Sequence, residues 1–138
     1  MARLPCFREQ DAVRVPALSG PGISIAAAVY TTRNGTKSIR LSGICQRTAK
    51  VNIRQGINLL REIAVLLVCM PLYRSDSFSP LGSALVFDDD LRYVNGYQRG
   101  FFEIDVFSRT LLSPIVGRYF ISATLGPQLS NVVEIELA

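Results

Sequence analysis

Apolar and polar residues alternate along much of the chain, and Gly, Pro, Asn or Ser interrupts the alternation every ten residues or so. Period-two segments between such breaks predict short antiparallel strands rather than helices. "ISIAAAVYTT" from position 23 sets Ile23, Ile25, Ala27 and Val29 on one face, and "TKSIRLSGI" from position 36 sets Ile39 and Leu41 on one face. The "RNG" between them could close a two-residue turn, but that would oppose Val29 to Arg40. A three-residue loop with Gly35 in the left-handed region pairs Val29 with Ile39 and Ala27 with Leu41, keeping the apolar set together.

Further along, "AKVNI" at 49–53 reads as a short strand. The stretch 57–70 fits either period, but its β-branched second half ends at Pro71 and is expected to be a buried central strand over 62–70. Residues 73–83, rich in Ser with Pro and Gly, are predicted to form the longest loop, a candidate contact surface carrying Tyr73, Arg74 and Phe78. Phe78 could equally tuck back onto the sheet. Three alternating runs close the chain, with inward sets Phe102, Ile104 and Val106; Tyr119, Ile121, Ala123 and Leu125; and Val133, Ile135 and Leu137.

"GRYFI", with Gly117 two residues before Tyr119 and Ile121 two after, resembles the Gly-x-Tyr corner of immunoglobulin-like and fibronectin-type sandwiches. The resemblance covers about the last forty residues. It implies an all-β, immunoglobulin-like antiparallel sandwich of 7–9 strands, with the tyrosine hydroxyl bonded to upstream backbone. The chain departs from the antibody pattern: Ile115 stands where Asp is frequent, Ile121 replaces the second cysteine, and there is no Trp. Such domains mostly bind, space or assemble, although fold alone does not fix function.

A chain of 138 residues, 49% hydrophobic and 19% charged, suits one domain with a continuous core. We expect a flexible segment at 1–10 and a single sandwich over 11–138. The formal charge of +4 comes from scattered arginines without interleaved aromatics, so no nucleic-acid partner is expected. Histidine is absent, which removes the commonest general base and metal ligand and leaves the serines without their usual activator. Cys6, Cys45 and Cys69 match no metal or redox spacing and are expected to be mostly buried thiols in a cytoplasmic protein. "MARLPCFREQD" carries no apolar signal core, and the longest apolar run, 63–70, is far short of a membrane span. "NGT" at 34–36 is read as a turn.

The candidate chemistry lies in "FDDDLRYVNGYQRGFFEID", from position 87. A two-residue Asn95-Gly96 turn pairs Val94 with Tyr97, Phe87 with Ile104 and Leu85 with Val106. It also sets Asp88 opposite Glu103, Asp90 and Asp105 on the same outward face, Arg92 opposite Arg99, and Asp89 inward. Facing carboxylates repel, so they need arginines, a proton or a cation. Calcium could be held by Asp88, Asp89, Asp90 and Glu103, though the glycine of an EF-hand loop is missing. The plainer reading, which we prefer, is a solvated charged face balanced by Arg92, Arg99 or Arg118. A carboxylate-dependent hydrolase would need two acids about 5–10 Å apart and is the weaker alternative.

The expectation is therefore a non-catalytic module, not an enzyme and without a cofactor, that engages a protein partner or itself through sheet edges and the 73–83 loop. Phe101, Phe107 and Phe120 would add a sticky stripe if they share a sheet face. Gly35, Gly96, Gly117 and Tyr119 are the expected structural positions.

Overall fold

The computed structural model describes residues 15–48, 62–70, 74–80, 92–94, 96–110 and 112–138, the stretch 92–94 by its backbone alone. The expected flexible segment at 1–10, the strand at 49–53, Cys6, Tyr73 and the acids Asp88, Asp89 and Asp90 lie outside these residues. So do the pairings of Leu85, Phe87 and Asp88.

Among the described residues nine strands form two antiparallel sheets: β1 (Gly22–Thr31), β2 (Lys37–Thr48), β3 (Ile63–Met70), β4 (Arg74–Phe78), β5 (Arg92–Val94), β6 (Tyr97–Asp105), β7 (Gly117–Leu125), β8 (Gln128–Leu129) and β9 (Val133–Leu137). The first sheet runs β1-β2-β6-β5, and the second runs β4-β3-β7 with β8 and then β9 along the far side of β7. Their inner faces meet in one core that includes Ile25, Ile39, Leu41 and Phe102 from the first sheet and Val65, Leu67, Tyr119 and Ile121 from the second. This is an all-β sandwich.

Local sequence accounts for both predicted hairpins. Val29 faces Ile39 and Ala27 faces Leu41; the Gly35 N–H donates to Thr32 O at 3.0 Å, with Gly35 at φ 79°, which gives the three-residue loop its left-handed step. In the second hairpin Val94 pairs with Tyr97 and Arg92 with Arg99, and Gly96 again lies at positive φ. Within the first sheet Gly43 faces Phe102, whose ring fills the space a Cβ at position 43 would need.

The Gly-x-Tyr motif works by close approach. A Cβ on Gly117 would lie 2.7 Å from the Met70 carbonyl oxygen at the end of β3, so any other residue would push the strands apart. Two residues on, Tyr119 is fully buried; its hydroxyl donates to Ile115 O at 2.7 Å and accepts from Ile115 N–H at 3.1 Å. Phe107 meets the Tyr119 ring edge-on at 5.5 Å.

Two expectations are corrected here. Residues 74–78 of the supposed loop are a strand, because β3 supplies a backbone ladder from Val65 to Cys69 that Ser- and Asp-rich sequence can join at an edge. β3 is central but not buried on both faces: Ile63, Val65, Leu67 and Cys69 point into the core, whereas Leu66 on the other face is 45% exposed.

Replacing Tyr119 with Phe leaves the Ile115 amide and carbonyl without that partner and should lower stability by about 1–3 kcal/mol. Gly117→Ala should cost about 1–3 kcal/mol through overpacking. Urea unfolding of both variants checks this, and wild-type midpoints would contradict the corner's role.

Candidate functional site

Glu103 and Asp105 project from the outer face of the first sheet, where the antiparallel registers bring Ser42 beside Glu103 and Arg40 beside Asp105. Both carboxylates have protein partners. Glu103, 6% exposed, lies 3.6 Å from the Arg40 guanidinium. Asp105 accepts from the Tyr30 hydroxyl, from Ser38 Oγ at 2.8 Å and from Phe107 N–H at 2.9 Å, the last capping the 3₁₀ turn at Val106–Ser108. Arg40 also lies over the Tyr30 ring, 5.9 Å from its centroid. The chain thus compensates these acids with Arg40, Tyr30 and Ser38.

The arginines named in advance are engaged differently. Arg99 donates twice to Gln46 Oε1, at 3.1 and 3.0 Å, and Gln46 donates to Gly20 O at 2.8 Å. Arg118 pairs with Glu134 on the second sheet at 3.1 Å. Arg47 bonds Gln98 and Glu62, at 3.1 and 2.6 Å, at an open end of the sandwich. These cations sit on separate parts of the molecule, each beside an acid or amide. Among the described residues no three acids or cysteines gather in a way that could hold a metal ion.

The four predicted contact residues that are described are not brought together. Arg74 is exposed on β4 and Tyr73 lies outside the described residues. Phe78 and Phe107 pack against the core, so neither is a free contact. Phe101 is 48% exposed on the first sheet, opposite Ile44, whereas Phe120 alternates with buried Tyr119 and faces outward from the second sheet. The aromatic stripe is therefore split between opposite faces of the sandwich, because residue parity gives the side of a strand but not its sheet.

Two of the sheet edges, β1 and β4, are defended as well. On β1, the N–H and C=O of Ile25 are both met by the Asn131 carboxamide, at 2.9 Å each, which joins that edge to the β8–β9 side of the other sheet. On β4, Asp76 lies opposite core-facing Leu67 and accepts from Thr110 Oγ1 at 2.6 Å; an inward charge at an edge discourages strand addition. Sequence reasoning missed Asn131, Asp76 and Arg40, whose roles depend on distant partners.

Among the described residues, none covers the outer face of the second sheet. Ala64, Leu66, Val68 and Met70 run along the middle strand, with Phe120 beside Val68 and Leu129 beyond Thr124. Leu66 is 45% and Leu129 75% exposed, and large exposed apolar side chains grouped on one face mark a contact surface. The signal was present in "IAVLLVCM", which is apolar at both parities.

Three buried groups set an alkaline limit. Burial, reinforced by Asp105, pushes the Tyr30 hydroxyl from 10.0 up to about 12, and burial does the same to Tyr119. The Cys45 thiol, a free and buried cysteine like Cys69, is pushed by burial from 9.0 up to about 12. The unfolded chain releases these protons earlier than the folded one, so their contribution is fully present below pH 9.0 and is lost as pH rises toward about 12. Urea midpoints should fall across that window, less steeply in Tyr30→Phe; a flat profile would contradict the burial of these groups.

No known protein family and no curated protein matches the chain.

Proposed function

We propose that the chain is an immunoglobulin-like sandwich serving as a non-catalytic binding or assembly module, which engages a protein through the outer face of its second sheet. The fold reading is supported by the strand order. In the constant-type arrangement strands A, B, E and D share one sheet and C, F and G the other. Here β1, β2, β6 and β5 correspond to the first set and β3, β7 and β9 to the second, with β4 added beside β3. The Tyr119 corner at the start of β7 falls where that family carries it.

The observation that carries the functional reading is the outward apolar row of β3, with Leu66 exposed and Ala64, Val68 and Met70 half-buried, beside two defended edges. A soluble domain gains nothing in its own core from Leu66, Val68 and Phe120 on that face, whereas a partner that covers them removes apolar surface from water. The charged groups on the outer face of the first sheet largely engage one another, and Glu103 beside Arg40 is a poorer candidate for calcium than it was by sequence. The free, buried Cys45 and Cys69 suit a reducing compartment such as the cytoplasm.

A photo-crosslinking residue at position 66, in cells expressing the protein, tests this. Crosslinked protein adducts at 66 that disappear with Val68→Asp are expected, while the same probe at Ser108, exposed beyond the first sheet, should give none. Equal crosslinking at both sites, or none at 66, would overturn the reading.

A further inference from the structure

We infer that the partner on this face is a second copy of the chain, stacked face to face about a two-fold axis parallel to β3; this rests on the binding reading above. The face has a profile that suits itself. Along β3, Leu66 lies between Ser77 of β4 and Ser122 of β7, and Val68 lies between Ser75 and Phe120. Rotation about an axis parallel to β3 lays the apolar row on its own copy and exchanges the flanks, so that the bulky Phe120 falls opposite the small Ser75. An isologous contact needs this reciprocity, in which one residue meets another and is met by it in turn.

Charge favours the same occupant. The chain is +4 overall, yet on this face Arg118 pairs with Glu134 at 3.1 Å and lies across from exposed Glu136 of β9, while Ser75, Ser77, Ser122 and Thr124 carry hydroxyls. A face with so little net charge, held at its β9 rim, repels its copy weakly and offers little to a strongly charged partner.

Size sets the strength. Eight residues of β3 in a sheet about four strands wide give a face of about 26 by 19 Å, hence roughly 1,000 Å² buried over two copies, taking about 3.3 Å per residue and 4.8 Å per strand. That is near the lower bound for a specific interface and matches a weak, concentration-dependent dimer.

Sedimentation velocity from about 10 μM to about 1 mM, a range suited to weak dimers, tests the inference on the full chain. The wild type should shift from monomer to dimer, Leu66→Lys should stay monomeric, and Ser108→Lys, exposed beyond the first sheet, should dimerise as the wild type does. Circular dichroism melts of the variants should match wild type, which keeps a folding defect apart from lost association. A wild-type monomer throughout, with position 66 still crosslinking to a different protein, overturns the second copy and leaves the binding reading. A monomer without crosslinks overturns both, and a dimer that Leu66→Lys does not weaken overturns the proposed face.

Discussion

The close approach of β7 to β3 at Gly117 is the constraint on which the rest of the second sheet depends. With no side chain there, the Met70 carbonyl can sit where a Cβ would be, and Cys69 falls opposite Tyr119 and Leu67 opposite Ile121. A slip of one residue would turn Tyr119 out of the core and Phe120 into it, and would lose the Ile115 hydrogen bonds. The same register decides that Val65 and Leu67 face the first sheet while Leu66 and Val68 face water. The proposed contact surface is thus set by a glycine at the strand's start rather than by any residue of the surface.

The two outer faces of the sandwich differ in how they treat solvent. The first sheet carries acids and arginines whose side chains satisfy one another, from Glu103 and Arg40 through Tyr30 to Asp105 and Ser38. The charged groups of this face thus largely engage one another, although the buried hydroxyls of Ser24 and Ser42 have no hydrogen-bond partner among the described residues. The second sheet carries an apolar row with hydroxyls on both sides. With Asn131 bonded to β1 and Asp76 turned inward on β4, strand addition at those two edges is disfavoured, which favours association through a face.

Much of this fold was legible wherever structure is decided by neighbours in sequence. The Gly35 loop, the Asn-Gly hairpin, the inward sets of β6 and β7, and the Tyr119 corner all follow from alternation and turn chemistry over a few residues. β4 was hidden because Arg74–Phe78 has weak strand preference of its own and becomes a strand only by pairing with β3. The partners of Glu103 and Asp105 were hidden because Arg40 and Tyr30 reach them across strands sixty or more positions away in sequence. The candidate surface was half visible: the run 63–70 was apolar on both faces, which predicted burial on both, and only the order of the sheets shows that, among the described residues, one side has no covering layer.

The claim that organises this account is that β3 shows Leu66 to solvent and Leu67 to the core. Thiol labelling of Leu66→Cys and Leu67→Cys in the native protein, with the modified site located by peptide mass, tests it most directly. Rapid labelling at 66 and protection at 67 until unfolding is the predicted result, and protection at 66 with labelling at 67 would contradict the register, the surface and the pairing built on them.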